Sequence, residues 1–264
     1  MREGCDASSA VGNTNRTGCP APLRVDRLSR GTPSAELIYK IADSRNEREQ
    51  ALRLVHDVYT AERLMRPAAS GMRVTPWHLS EGTNIYVAKH FQRVVCTMTS
   101  VPDGERGLPL EAIYPSEVAF LRRAGHRLAE VTCLAARQDA YSTEQGLRVF
   151  VRLVGLLFQA CRFAGRERLL IAVHPRHARF YRRALGFEQL GGVRMYPSVC
   201  DQPAVACEHD LGLQADPRFP LLPDVYEVRF SSRELVSHPL DAAERDHLNR
   251  AVSDPNRDAL SFAS

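Results

Sequence analysis

Lysine is almost missing from this chain: Lys40 and Lys89 are the only two among 35 basic residues. Nor does any run approach the ~18 consecutive apolar residues that a membrane-spanning helix needs, so no integral membrane span is expected. The opening residues Met1-Arg2-Glu3-Gly4-Cys5-Asp6 are not followed by the apolar stretch of roughly 7–15 residues that marks a secretory signal, and the cytoplasm is the expected compartment. Cysteines are seven, an odd number (Cys5, Cys19, Cys96, Cys133, Cys161, Cys200 and Cys207), and no two stand in C-x-x-C spacing. A disulfide framework or a zinc site is therefore not expected, and most of these thiols should fill small core volumes.

Hydrophobic residues are 44% and charged residues 25% of the 264, enough for a packed core in one large domain. The charge is unevenly placed. Between Phe120 and Arg183 stand thirteen arginines against Glu130, Asp139, Glu144 and Glu167, a local net of +9. Such a band would attract phosphates or an acidic protein; arginine-rich codon usage on an ordinary solvated face would give the same count.

Residues 1–34 are rich in Ser, Gly, Asn, Thr and Pro and read as a disordered leader. The body, 35–211, opens with a strand over Glu36–Ala42. Ser44-Arg45-Asn46-Glu47 then reads as a capping box starting a helix with Ala51, Leu52, Val55, Val58 and Tyr59 on its apolar face, ended by Pro67. A long loop over 67–82 holds the only tryptophan, Trp77. Strands follow over Asn84–Lys89 and Arg93–Val101, a short helix over Pro115–Ala124, and an apolar strand over Arg127–Ala135. Ser142-Thr143-Glu144-Gln145 is a second capping box, opening a helix to Gly165. A strand over Arg168–Val173, a helix over Pro175–Leu185 and strands near Val193–Tyr196 and Ala204–Asp210 complete the body. In the extension, 212–264, a strand over Val225–Phe230 and a helix near Ala242–Val252 are expected. This order predicts an α/β (α+β) fold, a mixed sheet with helices on both faces.

The segment HPRHARFYRRALGFE (174–188) resembles the C-terminal motif of the GNAT acyltransferase superfamily, with Tyr181 and Gly186-Phe187 in the places of the motif's Tyr and Gly-Phe. With LRLVHDVYTAE (52–62), LAEVTCLA (128–135) and YPSVCDQPAVACEHDL (196–211), it is similar to the N-acyl amino acid synthase family (FeeM type), a branch related to the acyl-homoserine-lactone synthases. The resemblance implies a splayed GNAT-like sheet. It also implies transfer of a long acyl chain from acyl carrier protein (acyl-ACP) to the amino group of an amino acid, without a tightly bound cofactor. Coenzyme A, acyl-CoA being the usual GNAT donor, is the alternative. Pyrophosphate is commonly held on free N–H groups of a glycine-rich turn at a helix N-terminus. Here the stretch from Arg137 to Gly146 has a single glycine and adds Asp139 and Glu144, which argues for a carrier protein as partner and suits the arginine band. Two other readings stay open: an acetyl-CoA-dependent acetyltransferase of small amines, and a non-catalytic acyl- or carrier-binding module. Nucleic acid is not an expected partner.

Thioester aminolysis needs a base for the amine, donors for an oxyanion and a proton for the departing thiolate. The resemblance implies Glu130 as the base, since Glu-Val-Thr-Cys stands where lactone synthases carry Glu-Leu-Ser-Arg, with Cys133 replacing the Arg. It implies backbone N–H groups of Leu134 and Ala135 as oxyanion donors. Ala136, Arg137 and His174 would line the pantetheine, and Tyr181 would protonate the thiolate. On the acceptor side it implies Arg53 and Tyr59, with Trp77 as a lid or a packed aromatic. Each has a bland alternative: Glu130 as a salt-bridge partner of Arg127, Tyr181 as a ring packed on the sheet, His174 as a strand-end residue.

Overall fold

The computed structural model describes residues 37–137, 142–214 and 216–252. The expected leader, and Asp139 within the Arg137–Gly146 stretch, lie outside the described residues. One mixed sheet runs in the order β1-β2-β3-β4-β5-β8-β6, with β7 also on β8. Its strands are β1 (Leu37–Ile41), β2 (Asn84–His90), β3 (Arg93–Pro102), β4 (Leu128–Ala136), β5 (Arg168–Val173), β6 (Glu188–Gln189), β7 (Arg194–Tyr196) and β8 (Gln202–Asp210). All pairings are antiparallel except β4 with β5.

Two irregularities shape the centre of the sheet. The parallel β4–β5 ladder has three pairs, Leu128↔Arg168 to Glu130↔Leu170, and then stops. Beyond Glu130 the two strands part, β4 staying on β3 and β5 on β8. In β4 the register then slips: Thr99 faces Thr132 and Thr97 faces Ala135, so Cys133 and Leu134 together oppose Met98. Cys133 takes φ +55, the left-handed region an L-residue seldom enters, which is what a bulge demands.

Helices cover both faces. On one lie α3 (Thr143–Phe163) and α4 (Pro175–Leu185), packing Leu153, Leu157, Phe158 and Leu185 on Tyr86, Met98, Ala129 and Ile171. On the other, α1 (Arg45–Ala61) sets Leu52 and Val55 on Ile85, Val87 and Val94. Beside it, α2 (Pro115–Arg123) sets Val118 and Leu121 on Leu128, Leu170 and Ala206. Local chemistry explains the ends. Ser142 accepts from Gln145 N–H, and the Gln145 side chain accepts from Ser142 N–H. Gly186 closes α4 at φ +71, where a Cβ is penalised.

Three expectations need correction. Ser44 caps α1, but Glu47 does not reach back to it; its carboxylate is drawn to Lys89 and Lys40 instead. The first helix ends at Ala61, six residues before Pro67, with Arg63 already at φ +58. The strand expected over Val225–Phe230 is absent. α5 (Leu222–Val225) sits there, and Gln159 of α3 binds the following backbone, donating to Val228 C=O (2.8 Å) and accepting from Phe230 N–H (3.2 Å). Those are the bonds a neighbouring strand would have made.

The segment after β8 packs on the domain. Leu221, Leu222, Val225 and Tyr226 join the α3 core, and α5 crosses α3 so closely that a Cβ on Gly155 would stand 2.3 Å from Val225 C=O. α6 (Ala242–Arg250), the expected C-terminal helix, seats Leu248 on the α1 side and pairs Glu244 with Arg48 at 2.6 Å, both nearly buried. Val252 then bridges to Val74 in the 67–82 loop. Among the described residues no helix is long and apolar enough to cross a membrane.

Candidate active site

Glu130 sits where β4 and β5 part, on the α1/α2 face of the sheet and between the cores under those two helices. It is 2% exposed and has no cation beside it; Arg127 pairs with Glu167 instead. Its one described hydrogen bond comes from Leu110 N–H to Oε2 at 2.8 Å. Burial pushes the carboxyl up to about 8, against the weaker pull of that N–H. Leu110 belongs to a turn clamped from outside. Glu111 accepts from Leu108 N–H, and Arg122 of α2 binds Glu111 and Asp103 together.

The bulge decides which side chains stand beside Glu130. Simple alternation along β4 would send Cys133 to the α3 face with Val131. The slip returns Cys133 to the α1 face and sends Leu134 to the α3 side. Near Cys133 stand Tyr59 of α1, Arg73 of the 67–82 loop and Tyr196 at the end of β7, and His78 of the same loop feels the charge of Arg73. Arg73 donates to Ser198 C=O (2.9 Å), lies over the Tyr59 ring at 5.0 Å and lowers the Cys133 thiol against the effect of burial. A guanidinium from the loop thus stands beside the position where the lactone-synthase motif has its Arg. Tyr196 is 7% exposed, hydrogen-bonds Ser198 and feels the charges of Glu130 and Arg73. Burial raises the phenols of Tyr59 and Tyr196, holds His78 near 4 and so neutral, and raises the Cys133 thiol, which is no ready thiolate.

Tyr181 comes from the opposite face. Its ring packs edge-on to Phe187 (5.5 Å) and Phe150 (6.4 Å), and burial lifts its hydroxyl to about 12. Tyr59 nevertheless senses Tyr181, although the two belong to opposite faces of the sheet. The gap left by the parted strands joins them. Along this gap the edge of β4 turned toward β5 carries no ladder partner from Val131 to Ala136.

Other expected residues fall differently. Arg53 is exposed, bound to Ser70 C=O and near Glu49, away from this cluster. Trp77 is a packed aromatic, donating to Gly107 C=O (3.0 Å) and leaning on the Leu108–Leu110 core, so it supports the turn that holds Glu130. His174 is the N-cap of α4, its Nδ1 accepting from Arg176 N–H. Arg137 leaves β4 with its N–H on Val95 C=O, and Ala136 lies exposed at the strand end. A pocket of about 360 Å³ lined by Arg127, Arg162, Arg166, Arg168 and Asp210 lies at the joined end of β4 and β5 and contains none of the clustered side chains. The sequence reading missed Arg73, His78 and Tyr196. The one available signal was a lone charge between Met72 and Val74, both of which prove buried.

The model of the family N-acyl amino acid synthase FeeM matches residues 50–210. The chain belongs to the FeeM family. The match covers both parted strands, the bulge and every clustered residue, and stops at the end of β8. FeeM itself, an N-acyl amino acid synthase from uncultured soil microbes, superposes with a TM-score of 0.57 at 24% identity, over 68% of this chain and 93% of that one. The CoA-dependent acyl-homoserine lactone synthase BjaI gives 0.54 at 18%, over 80% and 99%. The lactone synthase LasI gives 0.52 at 13%, over 67% and 91%. At such identities these likenesses show the GNAT-like acyltransferase fold. No curated protein matches the sequence. Membership of the FeeM family makes the chain an acyltransferase.

Proposed function

We propose that this FeeM-family enzyme forms an amide between a long-chain acyl group, delivered as an acyl carrier protein thioester, and the amino group of an amino acid. The observation that carries this reading is the buried, cation-free carboxyl of Glu130 at the fork of β4 and β5. A thioester lying along the free edge of β4 would present its carbonyl to the backbone N–H of Leu134 at the bulge, with Ala136, Arg137 and His174 along the pantetheine; Ala135, expected as a second donor, shares the β3 edge with Arg137, whose N–H donates to Val95 C=O. The incoming amine attacks that carbon, forming the C–N bond, and its proton passes to Glu130 directly or through one water. A carboxyl titrating near 8 is matched to an amine of pKa ~8 or above, so the transfer is nearly level in energy. The oxyanion collapses, the C–S bond breaks, and Tyr181, still protonated at neutral pH, gives its proton to the thiolate. Thioester and amine become amide and thiol.

The donor assignment rests on charge. Arg176, Arg179, Arg182 and Arg183 line the exposed side of α4, and among the described residues none of the four pairs with a carboxylate. α4 begins at His174, directly after β5 leaves the fork, where an acidic carrier protein could set down its pantetheine arm. The test is mass spectrometry of products from purified enzyme given acyl-ACP, acyl-CoA or acetyl-CoA with a mixture of amino acids. N-acyl amino acids made faster from acyl-ACP support the reading. Acetylation of small amines from acetyl-CoA alone overturns it.

A further inference from the structure

Arg73 carries a charge that the protein leaves unanswered. Its backbone is fixed: Met72 and Val74 on either side are buried, and its N–H donates to Leu52 C=O at 3.0 Å. Its guanidinium is held by neutral groups, namely Ser198 C=O, the Met65 sulfur at 3.8 Å and the face of Tyr59. Among the described residues it makes no ion pair, and its Nε is buried without a hydrogen-bond partner. A second orphan donor lies close by. His78 accepts from Thr75 N–H at Nδ1 (2.9 Å), which assigns its proton to Nε2, and that nitrogen too is buried and unpartnered. Of the buried polar atoms without a partner among the described residues, these two donors belong to one loop on the α1 side of the sheet, where an acceptor from outside would satisfy them.

The position of Glu130 says which acceptor. Arg73 lies over Tyr59, which packs on the core that holds Cys133, and Glu130 stands three residues before Cys133 on the same face of β4; among the described residues the cation and the carboxyl make no ion pair. A ligand that satisfies both ends carries an anionic, planar, two-oxygen group a short distance from an amine. We infer that Arg73 is the receptor for the acceptor's carboxylate, orienting an α-amino acid with its nitrogen toward Glu130 and excluding amines that lack the acid. This rests on the proposed amide-forming reaction and adds to it the group by which the acceptor is recognised. A planar guanidinium suits a carboxylate because it can donate two parallel hydrogen bonds.

The test uses the full-length enzyme, its preferred amino acid and that amino acid's primary amide, with the donor saturating. The wild type is expected to favour the acid by ~30-fold or more, the scale of leaving one partner of a buried charged contact empty. Arg73→Gln should raise the acceptor KM by a similar factor, leave the donor KM unchanged and bring the acid-to-amide ratio toward one. Arg73→Lys should recover part of the preference. A guanidinium that merely braces Ser198 predicts a lower melting temperature with the acid-to-amide ratio intact. A wild type that accepts the amide as readily as the acid overturns the inference, whether or not the variants fold. So does a folded Arg73→Gln that keeps the wild-type ratio. Both results leave the amide-forming reading standing. A wild type that acylates no amino acid from any donor removes that reading and this inference together.

Discussion

The titration of Glu130, the proposed base, also bears on stability. Its carboxyl ionises near 8 in the folded chain, against an ordinary value of 4.5. Folding therefore takes up a proton between those values, and stability falls as pH rises through that window. The contribution is fully present below about pH 4.5, lost by about pH 8, and of order 4 kcal/mol in total. Glu130→Gln keeps the shape without the titration. Its melting temperature should overtake that of the wild type at pH 9, while the two converge or reverse at pH 5; parallel melting curves across that range would remove the buried charge from the account. The same substitution should slow turnover by roughly 10²–10⁴ where the carboxyl is ionised, and because it titrates near 8 the deficit should widen from pH 7 to 9 and level off above. A ratio near one at every pH would take Glu130 out of the reaction.

The elements that bear this site were legible to different degrees, for identifiable reasons. Helix α3 was plain in Ser142 and Gln145, Leu147 to Cys161 and Gly165, because caps and periodicity are local codes. The bulge was not. LAEVTCLA reads as an apolar strand throughout; the resemblance implies a splay or bulge after it, but only pairing with β3 shows that Cys133 and Leu134 share one partner. A candidate acid is therefore visible in the sequence and the loop cation is not: Glu130 stands out as the one carboxylate of its own strand, whereas Arg73 meets Tyr59 and Ser198 only through the tertiary fold. Two predictions belong to elements. Reversing Arg179, Arg182 and Arg183 to Glu on α4 should raise the KM for acyl-ACP about tenfold or more at low salt and less at high salt, since exposed charges are screened within ~10 Å at 0.1 M. Equal losses with acyl-CoA would argue against a carrier protein on this face. Gly155→Ala should destabilise by ~1–3 kcal/mol, read by urea unfolding, because the new methyl meets backbone rather than a yielding side chain.

For the molecule as a whole, the segment beyond β8 closes what the sheet leaves open. Its buried Arg48–Glu244 pair joins α1 to α6. Removing one partner, as in Arg48→Ala, should cost ~3–5 kcal/mol by leaving a charge stranded, whereas an apolar pair of matching volume should cost far less. Equal melting temperatures for Arg48→Ala and wild type would show that water reaches the pair.

The Val252–Val74 bridge also gives the enzyme an order of assembly. Val74 adjoins Arg73, and its partner position is supplied by a segment that a ribosome makes only after β8. A nascent chain extended only through β8 already holds the forked strands and Glu130, and can begin to bury the α3 face. The loop that presents Arg73 gains its outer support only when α6 and Val252 arrive. The forked strands that carry Glu130 are thus made before the segment that braces the Arg73 loop.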